Sequence, residues 1–132
     1  MSLVYLDASA LVKLVVAEPE SDALMEFLRA RPDRVSSALS LVEVPRALRR
    51  ARFGSPERQR ARRLLARLAL VDVDRRILGA AAAFESPELR TLDAIHLATA
   101  LAVREDLSEL VTYDRRLAMA AGRADVEVLS PS

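Results

Sequence analysis

Apolar positions in this chain fall into short unbroken runs that alternate with longer stretches of helical spacing. Leu3-Val4-Tyr5-Leu6 is such a run, too short for a helix and uninterrupted, and reads as a buried strand. Val35 to Ala38, Ala69 to Val73, Leu110 to Thr112 and Val126 to Leu129 read the same way. Between them the spacing predicts helices over Ser9 to Val16, Ser21 to Ala30, Leu41 to Phe53, Arg75 to Phe84 and Arg115 to Ala121. Glu18-Pro19 separates the first two. Pro45 should kink the third helix or mark its first turn. Gly54-Ser55-Pro56-Glu57 stops that helix and starts another, running to about Leu68, with Ser55 as its N-cap. Thr91 is placed to cap a helix from Leu92 to Arg104, apolar nearly all round and so expected in the middle of the molecule.

Short apolar strands alternating with helices require crossover connections, which produce a parallel sheet covered on both faces. The predicted class is α/β. In such sheets ligands bind beyond the carboxyl ends of the strands, where the strand order reverses. Two acids stand at such ends, Asp7 after the first strand and Asp114 after the fourth.

The 132 residues suggest one domain, spanning 1–132, with enough chain to bury a core. There is no cysteine, so thiolate chemistry is excluded. No apolar run is long enough to span a bilayer and the first acid comes too early for a signal peptide, so a cytoplasmic protein is expected. The net charge of +1 makes no global case for nucleic acid, but its distribution is uneven. From Arg46 to Arg67 arginine recurs with only Glu57 as a negative interruption. The flanking Ala47, Leu48, Leu64, Leu65 and Leu68 form an apolar seam that would suit an amphipathic segment of a partner.

Four acids have both a local and a functional explanation. Asp7 and Asp114 could simply cap the helices that follow them, and Asp114 could pair with Arg115 or Arg116. Glu43 completes a capping box with Ser40, yet stands among Leu39, Leu41, Val42 and Val44. Asp93 suits the helix macrodipole but opens a helix that looks buried, where a charge needs a polar site or a partner. All four stand where an apolar element meets the sheet's open edge. Brought together they would repel one another unless a cation joined them. An all-oxygen donor set without cysteine suits Mg²⁺ or Mn²⁺ rather than Zn²⁺, and points to phosphoryl transfer with water as nucleophile. The single histidine, His96, lies one turn beyond Asp93 and reads as a hydrogen-bonded core residue.

The segments VYLDASALVKL, SALSLVEVPRAL, LRTLDAIHLATAL and LVTYDRRL resemble, in order and spacing, the motifs of PIN-domain proteins, particularly the VapC toxins of bacterial VapBC toxin–antitoxin pairs. The resemblance implies a three-layer α/β/α sandwich whose parallel sheet has the order 3-2-1-4-5. It implies Mg²⁺- or Mn²⁺-dependent endoribonuclease activity, with Asp7, Glu43, Asp93 and Asp114 as the catalytic, metal-holding acids. Ser9 and Thr112 would orient carboxylates from behind. The implied partners are an RNA substrate, a small VapB-type antitoxin and a second copy of the chain. Two competing readings are a haloacid-dehalogenase-type phosphatase, which would need a second Asp where Ser9 stands, and a non-catalytic PIN-like binding module.

Overall fold

The computed structural model describes residues 2–132. Its elements in chain order are β1 (Leu3–Leu6), α1 (Ala8–Val15), α2 (Ser21–Leu28), β2 (Arg34–Ser37), α3 (Ser40–Arg50), α4 (Ser55–Ala66), β3 (Ala69–Val71), α5 (Arg75–Ala82), α6 (Thr91–Ala102), β4 (Leu107–Val111), α7 (Arg115–Arg123) and β5 (Val128–Leu129), with a turn of 3₁₀ helix, Arg104–Asp106, before β4. The strands form one sheet in the order β3-β2-β1-β4-β5, and every pairing is parallel. This is the order the resemblance implied. It puts β1 and β4 side by side at the reversal, with Leu6 opposite Val111.

β1 shows why the sheet is covered on both faces. Successive side chains of a strand point to opposite sides. Val4 and Leu6 pack with Leu11, Val15, Leu24, Val44, Leu48 and Leu65, beneath α1 to α4. Tyr5 packs the other way, with Leu97, Ala100, Leu117 and Ala121 of α6 and α7. α6 is buried continuously from Ala94 to Ala100, as its all-round apolar pattern predicted. The result is three layers, with β1 enclosed at the centre.

The element ends depart from the pattern in instructive ways. β4 begins at Leu107 rather than Leu110, because Glu109 is carried inside the strand by an ion pair with Arg31 at 3.1 Å. β2 closes at Ser37, β3 at Val71, and β5 is confined to Val128–Leu129. Gly54, not Ser55, is the extended N-cap residue of α4, and Glu57 accepts its N–H at 3.0 Å. Thr91 lies inside α6, whose cap position is Arg90. Pro45 lies within α3, past the first turn. Its missing N–H withdraws a bond from the Leu41 carbonyl, which stands on an exposed residue where water can replace it. The expected apolar seam is largely core. Leu48 and Leu65 are buried against β1 and α1, so they hold α3 and α4 to the sheet rather than await a partner.

Candidate active site

The sheet's reversal places the end of β1 against the end of β4, and both strands pass directly into helices there. Asp7 is the N-cap of α1. Its Oδ1 accepts the Ala10 N–H at 3.0 Å and the Ser9 hydroxyl at 2.6 Å. Its Oδ2 accepts the Thr112 hydroxyl at 2.5 Å. Ser9 Oγ in turn accepts the Tyr113 N–H at 3.0 Å, and Thr112 Oγ1 accepts the Asp114 N–H at 3.0 Å. Ser9 and Thr112 thus hold Asp7 in place while stitching β1 to the β4–α7 turn. Asp7 is only 3% exposed, and burial pushes its carboxyl above the ordinary value even against these hydrogen bonds.

Asp114 caps α7, with Oδ1 accepting from the Arg116 and Leu117 amides at 2.8 and 3.2 Å. It makes no ion pair with Arg115 or Arg116, contrary to one sequence expectation. Asp93, in the first turn of α6, is pushed up to about 7, first by burial and then by the charge and hydrogen bond of Asp114 and the charge of Asp7. Asp7, Asp93 and Asp114 therefore form one electrostatic cluster. Among the described residues no arginine or lysine pairs with any of them.

Glu43 enters from α3 by a different route. The capping box with Ser40 does not form. Ser40 is buried and bonds Ser36 Oγ at 2.8 Å, while Glu43 Oε1 lies 2.6 Å from Nε2 of His96. His96 Nδ1 lies 2.7 Å from the Tyr5 hydroxyl. His96 is thus a buried, hydrogen-bonded histidine as expected, but one of its partners is a candidate site acid. That link was absent from the sequence reading, which considered only the spacing of His96 from Asp93 on its own helix. Beside Glu43 a cleft of about 350 Å³ opens, lined among others by Ser9, Val42, Arg46, Arg50 and Leu92.

Could such a site hold a divalent ion? As they stand, no three or more His, Cys, Asp or Glu side chains among the described residues form a ready coordination group. The donor chemistry nevertheless fits. Asp7 and Asp114 press on Asp93 with no arginine or lysine among the described residues paired to any of the three, and this repulsion adds to burial in keeping the Asp93 proton to near neutrality. A hard divalent cation removes that repulsion and prefers these oxygens.

A parallel sheet of this order, with a carboxylate cluster at its reversal point, defines a PIN-type α/β fold. The PIN domain family matches residues 4–123. Ribonuclease VapC46 of Mycobacterium tuberculosis is 52% identical over 132 residues, covering 100% of both chains. Ribonuclease VapC35 of the same species is 46% identical over 134 residues, covering 98% of this chain and 97% of its own. Among solved structures, a toxin–antitoxin complex from Klebsiella pneumoniae superposes with a TM-score of 0.73 at 25% identity, covering 98% of each chain. VapC20 of M. tuberculosis shares the fold, with a TM-score of 0.70 at 18% identity over 89% of this chain and 94% of its own. The chain belongs to the PIN-domain family, in its VapC branch. PIN-domain VapC ribonucleases are generally metal-dependent.

Proposed function

We propose that this protein is an endoribonuclease that uses Mg²⁺ or Mn²⁺ and acts as the toxic half of a toxin–antitoxin pair. The observation that carries the reading is the aspartate cluster at the β1–β4 junction, with Asp93 raised to about 7 by burial and then by Asp114 and Asp7, in a chain that matches named ribonucleases over its whole length. Asp7, Asp93 and Asp114 would hold the ion, with Glu43 completing the set. A bound divalent ion supplies charge neutralisation at a scissile phosphate and acidifies water.

The chain's own residues do the rest. Ser9 and Thr112 hold Asp7 in a fixed orientation as an oxygen donor. Arg46 and Arg50, on the wall of the cleft, supply positive charge for the RNA backbone. Lys13 takes no part, because it is paired with Glu20 at 2.6 Å. Ser9 donates to Asp7 where a haloacid-dehalogenase-type phosphatase would carry its second acid, which disfavours that alternative. The intact acidic set disfavours a purely binding role.

The toxin–antitoxin relative of known structure supports a small antitoxin as partner, the adjoining reading frame being the place to find it. We further propose one domain, a homodimer and a cytoplasmic location. No helix of the described residues is long and apolar enough to cross a membrane.

The test is cleavage of intact tRNA and mRNA with Mg²⁺, with Mn²⁺ and with EDTA. Cleavage is expected with either ion, none with EDTA, and none from folded Asp7→Asn protein. Inactivity of the folded wild type on all RNAs in both ions, or activity persisting in EDTA, defeats the reading. Light scattering should find a species of twice the 14.5 kDa chain mass.

A further inference from the structure

Glu43 and Asp93 come from different helices, and a single side chain links them. His96 sits three residues after Asp93 on α6, on the same helical face one turn along. From there its Nε2 meets Glu43 Oε1 on α3 at 2.6 Å. Its other nitrogen meets the hydroxyl of Tyr5, from the middle of β1, at 2.7 Å. The two rings pack edge to face, with centroids 5.8 Å apart and planes at 79°. His96 is 1% exposed and Tyr5 is fully buried, so neither ring is free to turn.

The chemistry of the partners assigns the protons. The Tyr5 phenol presents its O–H to a ring nitrogen that can accept, 2.7 Å away. It can therefore donate to Nδ1. With Nδ1 facing the Tyr5 hydroxyl, Nε2 is the ring nitrogen placed to donate to Glu43 Oε1. Glu43 Oε2 carries no protein hydrogen bond among the described residues. One oxygen is tied back to His96 and the other has no protein partner among the described residues. Without this tie, Glu43 borders the same cleft as Arg46 and Arg50, whose guanidinium groups would compete for it.

We propose that His96 is a positioning residue, fixed by Tyr5, that holds Glu43 beside the aspartate cluster and so sets that cluster's affinity for its divalent ion. The inference deepens the proposed function and rests on the cluster being a metal site. It gives the buried histidine a task beyond filling the core, and it makes the strand residue Tyr5 part of the site's support.

Two substitutions separate holding from filling. The amide of asparagine reaches the place of Nδ1 and can satisfy Tyr5, but falls short of Glu43. The amide of glutamine reaches the place of Nε2 and can still donate to Glu43. It leaves the Tyr5 hydroxyl to Thr99 and Ser36, which already neighbour it. The readout is Mn²⁺ binding by titration calorimetry on RNA-free protein, with folding checked by circular dichroism. His96→Asn should weaken Mn²⁺ binding about 10- to 100-fold, the usual range for losing a group that orients a ligand. His96→Gln should stay within about threefold of wild type, and Tyr5→Phe should lose a few-fold, since the ring keeps its bond to Glu43 but not its anchor.

If folded His96→Asn binds Mn²⁺ like wild type, or His96→Gln loses as much as His96→Asn, the proposal is overturned and His96 is packing alone. Should His96→Asn fail to fold, Tyr5→Phe decides instead: a few-fold loss of Mn²⁺ affinity in the folded variant supports the tie, and wild-type affinity overturns it. Asp7→Asn is the control for the underlying reading. Wild-type binding by Asp7→Asn removes the metal site itself, whereas loss in Asp7→Asn with none in His96→Asn removes only the role of His96.

Discussion

Asp7 and Glu43 stand at the same edge of the sheet, and the protein holds them by different means. Asp7 ends the central strand, receives a backbone amide and two hydroxyls, and is buried. Ser9 and Ala10 are fixed by the first turn of α1, and Thr112 by the β1–β4 pairing. Glu43 rides on a surface helix, is half-buried, and is held through one oxygen by one imidazole. The first arm is rigid because the sheet is rigid. The second is adjustable, because three rotatable bonds and one hydrogen bond define it. A rigid arm suits an ion's permanent anchor. A movable one suits a group that must settle as substrate enters.

Breaking the rigid arm should give the largest effect. Asp7→Asn preserves the helix cap, since Asn and Asp cap equally well, but removes the charge. We expect cleavage to fall about 1,000-fold or more, equivalent to about 4 kcal/mol of barrier, in a protein that still unfolds cooperatively. Asp93→Asn should do the same. Retention of cleavage within tenfold by Asp7→Asn would show that the rigid arm is only a cap, and by Asp93→Asn would remove Asp93 from the site. The comparison sharpens with Thr112→Val, which keeps the shape but removes the donor to Asp7 and the acceptor of the Asp114 amide. Activity should fall about 10- to 100-fold, and stability by about 1–3 kcal/mol, read from denaturant midpoints.

A subtler effect concerns pH. The Asp93 carboxyl is raised from its ordinary 3.8 to about 7, so the folded chain holds this proton more tightly than the unfolded chain does. The stability it lends is complete below pH 3.8 and is lost as pH rises to about 7. Allowing for its partial exposure, the loss is roughly 1–2 kcal/mol. Thermal unfolding in EDTA should show that decline, and Asp93→Asn should flatten it. Saturating Mg²⁺ should stabilise the protein most at the upper end of this range. An apo protein whose stability rises over the same interval would contradict the cluster. The smallest expected effect is that of Arg46→Ala or Arg50→Ala. Each should raise KM a few-fold with kcat little changed, and lower the salt dependence of RNA binding by about one phosphate's worth.

The alternation of buried runs and helices was legible because strands covered on both faces are continuously apolar. Asp7 and Asp114 were legible because the ends of such runs mark the sheet's open edge. What escaped had distant causes. Glu43 and Ser40 obey a local capping rule, but Ser36 claims Ser40, and His96, 53 residues onward, claims Glu43. Glu109 hid the start of β4 because its neutralising partner, Arg31, lies 78 residues away. The leucines of the arginine-rich stretch look like a docking seam until the sheet is seen to need them.

One span along the chain has a further consequence. Thr112, which holds Asp7, lies 105 residues beyond it, and Asp93 and Asp114 both belong to the later part of the sequence. Parallel pairing of β1 with β4 closes this long loop, a step that no local segment can anticipate. During synthesis, then, the first half of the polypeptide holds Asp7 and Glu43 with nothing to complete them. On the proposed function, a nascent chain would lack a complete site until β4 has emerged and docked. The topology would then act as a delay between translation and toxicity, during which a co-translated partner could arrive.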